Sequence, residues 1–481
     1  MATILLSAAG AAIGGSVGGS FLGVSAAVAG RFAGAALGRV IDQRIIGAGS
    51  DAVETGRIER FRLTGAGEGD PVPRVYGRMR IAGQVIWASQ FSESATTQSG
   101  GKGAPRQPKV ASFSYSVSLA IALCEGQISG VGRIWADGAE VSPDALNLRV
   151  YGGSETQLPD PKIEAIEGTG NVPAYRGTAY LVMEDLDLAP FGNRIPQFTF
   201  EVLRPAPASL PEAQNEPSLA IRGVALMPGS GEYALATSPV SFDYGAGRGA
   251  LANVNSPSGK SDLATSLDQL DGSLPNCEAV SLIVSWFGDD LRCGDCTIQP
   301  KVEQAQHDGT EMPWQVAGLA RADAQVVAQD AQGRPIYGGT PTDRSVIEAI
   351  QALNTSGKAV MFYPFMLMDQ AQGNTLTDPY SGGAGQPALP WRGRITGSLA
   401  PTMPGAPDGT TTQAAEVAAF FGTSQASDFA VAPGQVGYDG PQEWRYRRFV
   451  LHCAALCAAA GGGRVVLHRL RNAGTDPVAR T

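Results

Sequence analysis

Three acidic residues stand where reactive groups would sit. Asp289 and Asp290 follow the apolar run 279–287, and Asp369 follows the run 359–368. Both runs read as buried strands. Helical patterns at 263–274 and 343–354, the latter capped by Asp343, separate them from each other and from a strand at 220–227. Strand, then helix, then strand implies parallel pairing, and a (β/α)8 barrel carries its site at the carboxyl ends of such strands. The plainer alternative is that each aspartate caps the loop that follows it, because fold does not imply function.

Other chemistry-bearing residues are sparse. Cys293 and Cys296 form a lone CxxC, while Cys124, Cys277, Cys453 and Cys457 stand apart. Zinc needs a second pair or histidines at ligand spacing, and the histidines are only His307, His452 and His468. Free thiols with at most one local disulfide are expected. Glu184 and Asp185 follow a strand, and Asn193 and Arg194 sit in a turn, which suits structural ion pairs better than acid–base work. Arg445, Arg447 and Arg448 cluster on an expected helix, as a solvated face does. With a net charge of −9 and no basic stripe, direct nucleic-acid binding is not expected. No residue is assigned as catalytic, cofactor-binding or metal-ligating.

The elements that would position these groups belong to a 481-residue chain, long enough for several domains. Apolar residues make up 43% and charged ones 17%, and glycine is abundant at 62. Residues 1–30 carry no charge, and Arg31 is the first charged side chain. Their glycines are periodic: Gly10, Gly14 and Gly18 form one row, and Gly15, Gly19 and Gly23 a second. Gly30, Gly34 and Gly38 form a third. Glycine costs a helix about 1 kcal/mol relative to alanine, so these rows make sense where another helix packs closely on them. The segment is long enough to span a bilayer but lacks the basic start of a signal peptide. A membrane-active or tube-lining helix and a buried hairpin in an oligomer both fit.

From residue 56 the pattern turns to strands. Residues 73–88 alternate with glycine breaks, 92–112 read as an exposed polar loop, and 113–121 alternate as a half-buried strand. Strands follow at 131–135, 180–183 and 197–202. Val72-Pro73-Arg74-Val75-Tyr76-Gly77, then Gly83-Gln84-Val85-Ile86, resembles the opening of tail-hub and tip-attachment proteins of long-tailed phages. Tyr115-Ser116-Val117-Ser118-Leu119-Ala120 with Ala122-Leu123-Cys124-Glu125-Gly126 resembles their second signature. Tyr175-Arg176-Gly177-Thr178-Ala179-Tyr180 with Phe191-Gly192-Asn193-Arg194-Ile195-Pro196 resembles the third. The chain resembles most the large tail-tip proteins of gene transfer agents.

That resemblance implies a tail-hub-like domain followed by a TIM-barrel-like domain akin to glycoside hydrolases. A glycosidase needs two carboxylates, roughly 5 Å apart if retaining and up to about 9.5 Å if inverting. Asp289, Asp290 and Asp369 are candidates to line such a cleft. Trp286, Phe362, Tyr363 and Trp391 are candidate sugar platforms, with core packing as the alternative. The barrel looks incomplete: three strands, a fourth near 465–467, a Gly/Pro/Thr-rich stretch at 370–440, and a long helix at 440–460.

Residues 464–481 turn basic. Members of the resembled family have a strand like Cys-Ile-Gly-Ser-Glu-Met-Arg-Gly here. A legal codon choice for Leu467 to Gly474, read one base on, gives Cys-Ile-Gly-Ser-Glu-Met-Arg. These residues are therefore expected to be an out-of-frame tail, with the family's acid/base Glu lost.

The expected fold is multidomain α+β. It comprises a Gly/Ala-rich apolar helical segment at 1–55, a β-rich tail-hub-like domain at 56–204 and a linker at 205–217. A partial (β/α)8 TIM-barrel-like domain at 218–463 and the tail at 464–481 complete it. The resemblance implies a structural protein of a phage-like tail tip or baseplate, a virion component assembled in the bacterial cytoplasm. It implies a homotrimer docked on the tail-tube hub and distal tail proteins, meeting a host glycan or receptor and aiding DNA delivery. A tail-tip glycan hydrolase and a membrane-inserting delivery protein acting through residues 3–30 are the rival readings. No cofactor is expected.

Overall fold

The computed structural model describes residues 70–98, 110–204 and 215–462, save 390, 393 and 394. It also describes Ala206 and short strands at 20–21, 24–25, 53–55 and 464–465. The chain divides into two compact units, Met1–Arg204 and Pro205–Thr481.

The described residues of the first unit hold two main sheets. Its strands are β1 (Gly77–Ala82), β2 (Gln84–Ala88), β3 (Ser92–Gln98), β4 (Val110–Glu125), β5 (Gly130–Ala136), β6 (Ala139–Val141), β7 (Leu148–Tyr151), β8 (Thr178–Asp187) and β9 (Phe198–Arg204). The long β4 organises one sheet. It pairs antiparallel with β8 on one side and with β2 and then β3 on the other, while β7 extends β8. Tyr115, Val117, Leu119, Ile121 and Leu123 alternate along β4 and are all buried in the main core of this unit. The second sheet runs β1-β9-β5-β6, and its Ile81, Ile134, Phe200 and Val202 bury into the same core. The chain passes from the second sheet to the first at Gly83, where a Cβ would lie 2.2 Å from Ile121 Cγ2. Only glycine allows that close approach.

The second unit is built on parallel strands. Here β10 (Gly223–Leu226), β11 (Ala279–Gly288), β12 (Ala359–Met368) and β13 (Arg464–Val465) lie side by side in chain order, each pair parallel. Helices lie between consecutive strands: α1 (Asp262–Ser273), α2 (Asp343–Thr355) and α3 (Tyr446–Ala459). β11 is buried or half-buried along its whole length, while β12 alternates exposed and buried residues over its first half and is buried at its carboxyl end. Leu263, Val280, Leu282, Trp286, Val346, Ile350, Phe449 and Leu456 share one buried core.

The structure corrects several expectations. Within 1–55, the described pairs Ser20–Phe21 and Val24–Ser25 form a small antiparallel ladder, not helix. Phe21 and Val24 favour extended backbone, and the surrounding glycines oppose helix. Most of the glycine rows lie outside the described residues. Val53–Thr55 pairs parallel with the start of β4, so it belongs with the β-rich sheet and not with the apolar segment. Residues 92–98, expected as loop, form β3: backbone pairing with β4 orders a polar strand without any apolar face.

Residues 217–220 form a helical turn ahead of β10. The stretch 370–440 holds a helix at Thr411–Phe421 and a hairpin of Phe429–Ala432 with Gln435–Tyr438. The helix expected over 440–460 starts only at Tyr446. Thr342, not Asp343, caps α2, accepting from Ser345 N. Of the expected tail at 464–481, Arg464 and Val465 pair parallel with β12, and the rest lies outside the described residues.

Candidate functional site

The carboxyl ends of β11 and β12 bring the three candidate aspartates onto neighbouring strand ends, where the Asp369 amide donates to Gly288 O at 2.8 Å. Each carboxylate is already engaged. Asp289 accepts from Thr297 N and Thr297 Oγ1, both at 2.6 Å. Asp290 accepts from Arg292 N at 2.8 Å, from its guanidinium at 2.6 and 3.1 Å, and from Gln386 Nε2 at 2.7 Å. Burial pushes the Asp290 carboxyl up, but the Arg292 and Gln386 hydrogen bonds outweigh it and hold it below the usual range. Asp369 accepts from Lys301 Nζ at 2.8 Å, with both side chains buried. It also accepts from Ala328 N at 3.2 and 3.3 Å.

Apolar side chains fill the space beside them. Phe287, Val327, Tyr337 and Leu367 line a void of about 10 Å³ next to Asp369. One water needs a space of about 10–15 Å³ on this measure, so there is room for a single water at most and none for a sugar ring. Two of the four candidate platforms are core residues. Trp286 and Phe362 are buried, and the Trp286 ring packs against Trp444, Phe449 and His452 at centroid distances of 6.0, 5.3 and 5.6 Å. Tyr363 is half-buried and tilts against Phe365 at 6.2 Å. Trp391 pairs its backbone with Met368.

A second, more deeply buried charge cluster lies past the end of β10, and sequence reading missed it. Glu232 and Arg321 are 2% and 4% exposed and form an ion pair. Arg321 Nε also donates to Asp308 Oδ1 at 3.0 Å and its terminal nitrogens to Tyr233 Oη at 2.9 Å and Gln304 O at 2.7 Å. Burial raises Glu232 to about 7, against the pull of Arg321 and of the Glu303 amide. A polar cleft of about 290 Å³ lies beside it, lined by Gly229, Ser230, Gly231, Asp262, Glu303 and Tyr337 among others. Its two acids are also engaged. Glu303 accepts from Glu232 N at 3.3 Å and Gly339 N at 3.2 Å, and Asp262 from Asn255 N at 3.1 Å and Nδ2 at 2.8 Å. Glu232 follows a strand, as Asp289 and Asp369 do, and that was the available signal. Its partner lies 89 residues away in sequence, with no pattern to announce it.

The remaining candidates are dispersed. All six cysteines are buried and free, and burial pushes the Cys293 thiol up to about 11 and that of Cys296 to about 12. Such thiols are inert at neutral pH. Among the described residues no group of three or more His, Cys, Asp or Glu is placed to hold a metal. His307 packs edge-on to Tyr244 at 4.7 Å. The fully buried His452 shares a 2.8 Å contact between its Nε2 and Asp343 Oδ1. His468 lies outside the described residues.

Arg448 corrects the expectation of a solvated face. It is 3% exposed and lies between the rings of Tyr438 and Trp444, 4.0 and 3.8 Å from their centroids. Burial lowers its pKa. The aromatic faces and the Ala317 and Glu443 carbonyls take the place of water around the cation. Arg445 donates to Cys296 O at 2.7 Å. In the first unit, Glu184 pairs with Arg149 at 2.6 Å, Asp185 with Lys162 at 3.1 Å, and Arg194 with Asp137 at 2.7 Å. Asn193 adopts a left-handed conformation, and its Nδ2 donates to Phe113 O at 2.9 Å.

No family model and no curated protein matches the chain. Among solved structures, a match is found in the virion of a native gene transfer agent particle. The two chains are 54% identical, and the match covers 47% of this chain and 44% of that one, with a TM-score of 0.28. At that TM-score the superposition says nothing about shape, and the likeness lies in the aligned sequence. This chain therefore spans less than half the length of the one it matches. Among the described residues no helix is long and apolar enough to cross a membrane.

Proposed function

We propose that this chain is a structural component of the tail tip of a phage-like gene transfer agent particle. In this reading it is a homotrimer that docks on the tail-tube hub and distal tail proteins and contributes to host attachment and DNA delivery. The observation that carries it is the 54% identity to a gene transfer agent virion chain over 47% of this sequence. The resemblance of the three ordered segments beginning at Val72, Tyr115 and Tyr175 to tail-hub signatures points the same way. The domain division at 204, 217 and 463, with the first boundary moved ahead of Val53, and the out-of-frame reading of the tail belong to the same proposal.

The glycan-hydrolase reading draws on one specific feature. Four parallel strands in chain order, with a helix between each pair, are what the first half of a (β/α)8 barrel would supply. Against it stand the strand-end carboxylates, each tied into internal hydrogen bonds. In this reading the second unit is a framework and not a catalyst. The membrane reading concerns residues 3–30, which lie almost wholly outside the described residues.

Peptide mass spectrometry of purified particles tests the proposal. Peptides from both units should co-purify with the particles at a fixed ratio to a tail-tube protein. Their loss on density-gradient purification would refute it.

A further inference from the structure

A single stretch of chain borders both spaces at the strand ends of the second unit. Ile336 and Tyr337 line the void beside Asp369, and they also line the polar cleft of about 290 Å³. On one side the void is bounded by Phe287, Leu367 and Asp369, at the ends of β11 and β12. On the other side the cleft lies past the end of β10, among Gly229, Ser230 and Glu303. The dipeptide is therefore the partition between an almost closed space and a much larger one.

The partition belongs to a flap. Val327 is buried, residues 331–336 are exposed, and Gly338 is buried again. Between those ends the chain folds on itself. Gln329 bridges Pro335, Ile336 N donates to Ala328 O at 3.0 Å, and Arg334 Nε donates to Asp330 at 2.8 Å. Gly333, with a φ of 74°, makes the turn at the tip. Among the described residues, the hydrogen bonds of 329–336 all stay within 328–336.

The flap is fastened near its two ends. Tyr337 Oη lies 3.3 Å from Ser285 Oγ and donates to Met227 Sδ at 3.7 Å, and its ring meets Phe287 edge-on at 6.3 Å. Ala328 N donates to Asp369. These contacts reach the ends of β10, β11 and β12. Segments held by few buried contacts open locally, at less cost than global unfolding.

We propose that residues 328–337 are a flap that lifts off the strand ends and joins the void to the cleft. Closed, it keeps water from the Lys301–Asp369 pair, whose side chains are almost wholly buried. Lifted, it lets water and small solutes reach that pair along the cleft. Tyr337 is the latch, since its ring and hydroxyl must let go. The flap moves as one piece because its own hydrogen bonds are internal. It is a property of the second unit and stands apart from any role of the chain in a particle.

Acetylation of lysines in the folded full chain, read by peptide mass spectrometry, tests it. Lys301 lies behind the flap. Lys358, 9% exposed and paired with Asp271 at 2.7 Å, precedes the amino end of β12 and is the control. Tyr337→Ala should speed labelling of Lys301 about two- to tenfold, the factor that one aromatic contact supplies, and leave Lys358 unchanged. Tyr337→Phe keeps the ring and should label Lys301 more slowly than Tyr337→Ala does. A folded Tyr337→Ala in which Lys301 keeps its wild-type rate would overturn the proposal. So would equal acceleration of both lysines, which marks a general loosening of the unit.

Discussion

Lys301 Nζ lies 2.8 Å from Asp369 Oδ2, and both side chains are almost wholly buried. The aspartate at the end of β12 is thus half of an internal ion pair. Removing one partner of such a pair leaves an uncompensated buried charge and costs about 3–5 kcal/mol. Lys301→Met and Asp369→Leu should each lower the thermal midpoint of the second unit sharply. The double variant should recover most of the loss, because apolar residues replace buried pairs at little cost. Additive losses in the double variant would show that the two residues act separately.

The pH dependence of stability should carry the mark of Glu232. Burial raises its pKa from the ordinary 4.5 to about 7. Between those values the folded chain holds a proton that the unfolded chain has released. Its contribution is therefore full below about 4.5 and declines as pH rises to about 7. Glu232→Gln mimics the protonated form and lacks this slope. Relative to that variant, wild type should lose stability by at most about 1.4 kcal/mol per pH unit through the window. Denaturant titrations of both proteins at several pH values measure the difference, and a constant difference would contradict it.

Gly83 is a point of forced proximity. Gly83→Ala sets a methyl group 2.2 Å from Ile121 Cγ2 and 3.0 Å from Phe200. Overpacking of this kind costs about 1–3 kcal/mol. Gly130→Ala, where a Cβ meets nothing within 4 Å, serves as the control and should be nearly neutral. Equal losses in the two variants would refute the packing argument.

Thr342 and Asp343 do different work at the start of α2. Thr342→Ala removes the hydrogen bond from Ser345 N and the one that Thr342 Oγ1 donates to Met312 Sδ, and should cost about 1 kcal/mol. Asp343→Ala also strips Ala317 N of its acceptor and His452 of its partner. The Nδ1 of His452 already lacks a partner among the described residues. The larger loss should therefore fall on Asp343→Ala, and chemical denaturation of the two variants gives the order directly.

Much of the second unit was legible because its signals are local. The apolar runs of β11 and β12 and the periodicities of α1 and α2 each fit within one window of sequence. The hairpin at 429–438 escaped because its strands are four residues each, too short for the alternation of Phe429 with Val431 and of Val436 with Tyr438 to stand out. The strand-end aspartates were visible as acids, but their engagement was not. Lys301 lies 68 residues from Asp369, and Gln386 lies 96 from Asp290. In the same way Arg448 read as a solvated cation, because the rings that enclose it come partly from the hairpin before α3.

The central claim is a structural role at the tip of a phage-like particle. Cryo-electron microscopy of particles carrying a gold-labelled tag on this chain tests it most directly. Label confined to the distal end of the tail tube is the result this account predicts. Label on the capsid, or particles that form and transfer DNA without the chain, would contradict it.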